Sequence, residues 1–245
     1  MPVKWSLCAW GVALVLAGCA DPAEDMDTSD SGGDDDPVDD EYSSERPPTP
    51  EGCGEGVYEG SIYLERGPEE LTKLEGVSTI VGHLVIDKTD VTNLDDFSCI
   101  VEVGGDVHIF GNQNLTELSG MDNLWAVGGN VIVAENHAIT DFNGLNGLMF
   151  VGTPAANTSV VVRNMDGMSE LNGFAALREI EGDLYIQFNE LLAHMDGMQK
   201  LRHVFGIFAV THNPKLCITS INTVGEGLRE SPEPGSSTIA NDNGG

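Results

Sequence analysis

The chain has 245 residues, enough for one or two domains, with 40 acidic against 11 basic side chains and a formal net charge of −29. Nucleic-acid binding needs clustered Lys and Arg to displace phosphate counterions, and here those residues are few and scattered. The same deficit excludes direct electrostatic attraction to anionic lipid, so the charge reads as a solubilising surface.

Residues 1–18 read as a targeting segment rather than as part of a fold. Lys4 supplies a short basic start, and Trp5 to Val15 form an apolar run too short to span a bilayer comfortably. The run ends in Leu16-Ala17-Gly18-Cys19. That tetrapeptide resembles the bacterial lipoprotein signal, in which the chain is cut before the cysteine and the cysteine sulfur is acylated. The resemblance implies lipidation of Cys19, an anchor whose acyl chains contribute about 0.8 kcal/mol per buried CH2, and a place in the bacterial cell envelope. Ala20, where an Asp would signal retention, is similar to the pattern for transfer to the outer membrane.

Residues 19–50 carry Asp34-Asp35-Asp36, Asp39-Asp40-Glu41 and Pro47-Pro48-Thr49-Pro50 among Ser and Gly. With almost nothing apolar to bury and like charges repelling, an extended, disordered tether is expected. The acidic run lacks the Gly and Glu spacing of a calcium-binding loop.

Residues 51–224 are built from a repeat. Seven apolar triplets align: Ile62-Tyr63-Leu64, Leu84-Val85-Ile86, Val107-His108-Ile109, Val131-Ile132-Val133, Val160-Val161-Val162, Leu184-Tyr185-Ile186 and Phe208-Ala209-Val210. Their spacings of 22, 23, 24, 29, 24 and 24 residues mean a solenoid of stacked turns. Each triplet is short, alternating and rich in β-branched residues, which predicts a strand with its first and third side chains inward. So short a turn must lay the next strand parallel to the last, about 4.8 Å away. A second inward set is Leu71/Leu74, Val91/Leu94, Leu115/Leu118, Ile139/Phe142, Met168/Leu171 and Leu192/Met195. A third runs through Ile80, Ile100, Leu124, Leu148, Leu177 and Leu201, followed three residues on by Val103, Val127, Val151, Ile180 and Val204. About six apolar side chains per turn therefore feed one continuous core, and no turn can bury its own edges.

Gly76, Gly120, Gly144, Gly173 and Gly197 fall where the turn needs a positive φ or a close backbone approach. Asn112, Asn136, Asn189 and Asn213 recur three residues after the strand, which predicts an inward asparagine ladder rather than glycan attachment or catalysis. The turn before Val160 departs from the pattern. Thr153-Pro154-Ala155-Ala156-Asn157 is inserted as a protruding loop, and Asn164 stands one residue out of phase. Residues 225–245 carry no apolar repeat and are expected to form a disordered tail.

The pattern L-x-x-L-x-G-x-x-x-L-x-x-h-x-G-x-L-x-I-x-x-N resembles the receptor L-domain family, the leucine-rich-repeat-like right-handed β-helices of insulin and epidermal growth factor receptor ectodomains. Cys53-Gly54, Phe97-Ser98-Cys99-Ile100 and the closing Asn213-Pro214-Lys215-Leu216-Cys217 carry the likeness, which covers Cys53 to Val224. It implies a mainly β chain: a single right-handed parallel β-helix of about seven turns. It also implies a Cys53–Cys99 disulfide capping the first turns, as an oxidising compartment allows. With Cys8 lost in the signal and Cys19 acylated, Cys217 is the odd cysteine, expected as a buried thiol in the C-terminal cap.

The outward strand face is the candidate ligand surface. One column is Tyr63, Val85, His108, Ile132, Val161, Tyr185 and Ala209; the next is Glu65, Asp87, Phe110, Ala134, Arg163, Gln187 and Thr211. Tyr63, His108, Phe110, Ile132, Arg163, Tyr185 and Gln187 are the candidate contacts, because apolar ladders on an acidic surface mark interfaces. Cross-strand stacking alone would equally favour such residues. The six histidines fall on different columns, so no metal cluster follows, and no cofactor motif or G-x-S-x-G nucleophile turn is present. The expectation is a non-enzymatic, lipid-anchored recognition or adhesion module binding a protein or glycan. The alternatives are a carbohydrate-active β-helix enzyme, with Glu65 and Asp87 about one strand apart as its carboxylate pair, and a purely structural envelope protein.

Overall fold

The structure is a computed structural model, and it describes residues 46–154, 158–229 and 239–241. The targeting segment, Cys19, nearly all of the tether and residues 155–157 of the inserted loop lie outside the described residues.

The strands are, in chain order, β1 (Gly56–Tyr58), β2 (Ile62–Tyr63), β3 (Val77–Ile80), β4 (Leu84–Asp87), β5 (Glu102–Val103), β6 (Val107–Phe110), β7 (Ala126–Val127) and β8 (Val131–Ala134). They continue as β9 (Phe150–Val151), β10 (Ser159–Arg163), β11 (Glu179–Ile180), β12 (Asp183–Gln187), β13 (His203–Val204), β14 (Phe208–Thr211) and β15 (Ile239–Asn241). Helix α1 (Ile218–Gly227) precedes β15. The odd-numbered strands β1 to β13 stack into one parallel sheet, sheet A. The even-numbered strands β2 to β14, with β15 on the β14 edge, form a second, sheet B. The chain alternates between the two sheets, and the result is a mainly β, parallel β-solenoid of about six turns. Seven successive strands enclose six repeats, which is why the count is one below that expected from the triplets.

The seven triplets supply sheet B, except that Leu64 has already left the strand, and they alternate as expected up to Phe208-Ala209-Val210, which is buried throughout. Leu84, Ile86, Val107, Ile109, Val131, Val133, Val160, Val162, Leu184 and Ile186 are wholly buried. Sheet A is the unexpected half. Val103, Val127, Val151, Ile180 and Val204 are each the inward member of a two-residue strand, too short to show a period of two. The core also holds a further residue per turn. Phe97, Met121, Leu145, Phe174 and Met198 are buried, and the carbonyl of each accepts from the amide three residues on, as in Ile100 N–H to Phe97 O at 2.9 Å. Fully burying such a side chain contributes about 1.5–3 kcal/mol, so the core is richer than the six positions read from the repeat.

Two glycines show why the turns stack so closely. Gly120 and Gly144 have φ of +102° and +125°, and a Cβ on either would strike the backbone of the turn before, at Leu94 and Leu118.

The asparagine ladder is present and fully buried. Asn112 N–H donates to Asn136 Oδ1 at 2.9 Å, and Asn189 N–H donates to Asn213 Oδ1 at 3.0 Å. The side-chain amides donate to strand carbonyls: Asn112 to Ile86, Asn136 to Ile109, Asn189 to Val162 and Asn213 to Ile186. Thr89 opens the ladder, its N–H donating to Asn112 Oδ1 at 2.8 Å. The phase slip now has a cause. Asn164 (φ 53°) belongs to the left-handed corner column with Lys88, Gly111, Glu135, Phe188 and His212, and Met165 fills the asparagine slot.

Both ends are capped. Cys53 and Cys99 are disulfide-bonded with Cα atoms 5.4 Å apart. At the far end α1 covers the core with Ile221 and Val224, each 1% exposed. The expectation placed residues 225–245 outside the fold; Gly225 to Gly227 instead close α1, Leu228 packs on the core, and Ile239–Asn241 extend sheet B. Cys217, at the start of α1, is buried and disulfide-bonded, which corrects the expectation of a thiol. No described helix is long and apolar enough to cross a membrane.

Candidate functional site

Strand register places the expected columns on the outer face of sheet B. Tyr63, Val85, His108, Ile132, Val161, Tyr185 and Ala209 are aligned from strand to strand. So are Asp87, Phe110, Ala134, Arg163, Gln187 and Thr211. All seven candidate contacts therefore share one face. Arg163 is exposed, while Tyr63, His108, Phe110, Ile132, Tyr185 and Gln187 are half-buried. Ala134, Ala209 and Thr211 are buried and present nothing to a ligand. Glu65 leaves the column. It lies in a 3-10 turn, Leu64–Arg66, because the chain bends off sheet B after Tyr63, so Glu65 and Asp87 are not strand neighbours.

The polar density of this face is at its N-terminal end. His108 Nδ1 lies 3.1 Å from Asp87 Oδ2, and the His108 and Phe110 rings are 5.8 Å apart. Lys88 Nζ sits 5.4 Å from the centre of the Phe110 ring, a cation–π contact. Burial pushes the Asp87 carboxyl above its ordinary value; His108 and Lys88 draw it back and Glu65 adds to the rise. Asp87 Oδ1 is buried with no hydrogen-bond partner. Beside it is a cleft of about 400 Å3 lined by Leu64, Glu65, Pro68, Leu71, Lys88, Asp90 and Val91. At the opposite end Tyr185 donates its hydroxyl to Asp183 Oδ2 at 3.0 Å, and burial first, then that bond, raises its pKa.

Three features were missed in the sequence. The residue just before each triplet forms a second ladder, half-exposed: Ser61 Oγ accepts from His83 N–H, His83 Nδ1 from Asp106 N–H, Asp106 Oδ1 from Asn130 N–H and Asn130 Oδ1 from Ser159 N–H. Asp183 Oδ1 likewise accepts from Ile207 N–H. Its signal was a short acceptor at that position, hidden by changing residue type. The outer face of sheet A carries Trp125 edge-on to Phe150 at 5.3 Å. It also carries Glu179 and Glu181, where burial and then the hydrogen bond from Glu179 raise the Glu181 carboxyl. At the corner beyond β12, exposed Phe188 stacks on His212 at 4.4 Å.

Among the described residues no three His, Cys, Asp or Glu side chains converge to hold a metal ion. Arg46 fixes the start of the described chain to sheet A, donating to Ser78 Oγ and Thr79 Oγ1 and lying 3.6 Å from Glu102. No family model matches this chain, and neither the curated proteins nor the solved structures contain a significant match to it.

Proposed function

We propose that the chain is a recognition or adhesion module of the bacterial cell envelope, anchored through acyl groups on Cys19, with its protein or glycan ligand on the outer face of sheet B. It acts by binding and not by catalysis. The observation that carries the reading is the in-register run of Tyr63, His108, Ile132 and Tyr185 beside Phe110, Arg163 and Gln187. Aromatic and Arg side chains on a rigid ladder supply contact area at low entropic cost. The site of Arg46 agrees with this assignment, since the described chain enters along sheet A and leaves the ligand face to the other sheet. The receptor L-domain likeness and the Thr153–Asn157 loop as a further contact belong to the same reading.

Immobilising the full chain and profiling envelope proteins and glycans tests it. Paired Tyr185→Ala and His108→Ala changes should weaken a captured ligand at least about tenfold; unchanged capture overturns the choice of face. The anchor has its own test. A single Cys19 sulfur forms either a thioether to diacylglycerol or a disulfide. Mass spectrometry of the mature protein should find the thioether, and a Cys19–Cys217 disulfide there overturns the anchor.

The raised Asp87 carboxyl beside His108 and the cleft favours one second reading, a carbohydrate-active enzyme. Turnover of a polysaccharide that disappears in Asp87→Asn would replace the first reading with this one.

A further inference from the structure

We propose that the outer edge of β14 is a strand-acceptor site, filled in one copy by its own Ile239–Asn241, and that the same segment of a second copy can replace it. The last strand of a parallel stack presents a row of unpaired N–H and C=O groups. Here β15 covers that row in parallel register, with Ala209 opposite Ile239, Val210 opposite Ala240 and Thr211 opposite Asn241.

The two C-terminal caps differ in how they are held. Helix α1 is tied to the last turn: Cys217 N–H donates to Ala193 O at 3.0 Å, Met195 N–H to Ser220 Oγ at 2.9 Å, and Ser220 Oγ bonds Asp196 Oδ1 at 2.7 Å. It also buries Ile221 and Val224. Strand β15 pairs over three residues and with one neighbour, whereas β12 pairs over five residues with β10 and four with β14. Eleven residues, 228–238, join α1's end to it; after Leu228 and Arg229 they read Glu-Ser-Pro-Glu-Pro-Gly-Ser-Ser-Thr, with no aliphatic or aromatic side chain. Because α1 covers the core, losing β15 opens the backbone edge of β14. A second copy brings an identical strand to that edge, so the edge cannot distinguish its own tail from a neighbour's. Effective concentration then decides between them. Copies crowded on one membrane would favour exchange; that crowding rests on the anchored reading above, while the strand exchange does not.

The test uses the full chain carrying Ala240→Pro with Asn241→Pro, which removes a ladder donor whichever phase the pairing takes. With its own strand unable to pair, this variant should bind a synthetic peptide of residues 236–245 saturably, and the wild-type chain should bind it about tenfold more weakly because its own tail competes. A peptide with the same two prolines should not bind. Two differently tagged wild-type copies, concentrated together, should co-purify, and the variant should not. Independently of the variant, hydrogen exchange in the wild type should find the amides of Ile239–Asn241 about a hundredfold less protected than those of β12. Failure of the variant to capture the peptide, equal capture of the proline peptide, or tail amides protected like those of β12 overturns the proposal.

Discussion

Two polar ladders, each interrupted once, run along the solenoid and do the same job under different constraints. In each, a side chain in one turn accepts an N–H from a neighbouring turn, the turn before it in the buried ladder and the turn after it in the outer one. The ladder after the strands is wholly buried, and four of its slots are asparagine. The ladder before the strands is half-exposed and uses Ser, His, Asp and Asn in turn. Burial explains the difference. In the core a slot must accept from the turn before it and also donate to a strand carbonyl, since water is excluded from both groups, and a carboxamide does both. At the surface water completes whatever the side chain leaves undone, so any short acceptor serves.

The largest effect should come from breaking the buried ladder. Asn136→Ala removes the acceptor for Asn112 N–H and the donor to the Ile109 and Ala134 carbonyls. Each orphaned buried group costs about 1–3 kcal/mol, so a loss of about 3–5 kcal/mol is expected in denaturant unfolding. A loss under about 1 kcal/mol would mean that water enters the slot and that the ladder is not the closed network described here.

That contrast also explains what the sequence disclosed. The strands of sheet B, the inward faces and the buried ladder were legible because burial restricts residue type, and the restriction repeats every 24 residues or so. The second ladder was not, since Ser61, His83, Asp106 and Asn130 share an acceptor and nothing else. Sheet A was hidden because strands such as Glu102–Val103 are too short for alternation. Columns on the outer face of sheet B could be written down before any coordinates, because register follows from repeat length. Where the chain leaves the strand at Glu65, the projection failed. The raised Asp87 carboxyl depends on neighbours from three turns and was beyond reach.

The gap in the buried ladder sharpens the comparison. Met165 stands where an asparagine would continue it, and among the described residues nothing accepts from the backbone N–H of Asn136. Met165→Asn loses apolar burial but can supply that acceptor. Met168→Asn, in an equally buried site outside the ladder, loses burial and gains no such partner. The first should therefore cost about 2 kcal/mol less than the second by thermal or chemical unfolding. Equal losses would mean the slot cannot be filled. A smaller effect is expected on the outer ladder. Asp106→Ala removes bonds from Asn130 N–H at 2.7 Å and Asn130 Nδ2 at 2.8 Å, yet water can reach both donors. About 1 kcal/mol is expected, well below the Asn136→Ala loss.

The smallest effect is the most informative about the candidate face. Asp106 and Asp183 sit in the outer ladder and receive backbone N–H groups from the next turn, whereas Asp87 has Oδ1 buried without a partner and gets from the Phe110 backbone only the least of the influences on its carboxyl. Burial, the largest influence, lifts the Asp87 carboxyl above its ordinary 3.8, so the folded protein holds that proton more tightly than the unfolded chain does. The stability tied to the neutral form is therefore complete below 3.8 and lost as the pH rises through the raised folded value. At neutral pH the ionised carboxylate is the form the fold disfavours. Asp87→Asn should then melt slightly above the wild type at pH 7, with the gap closing as the pH falls to about 3. A lower melting point at pH 7 would mean that the contact with His108 outweighs the cost of burial. Otherwise this end of the sheet B face holds a carboxylate against its own stability, as a site kept for a partner would.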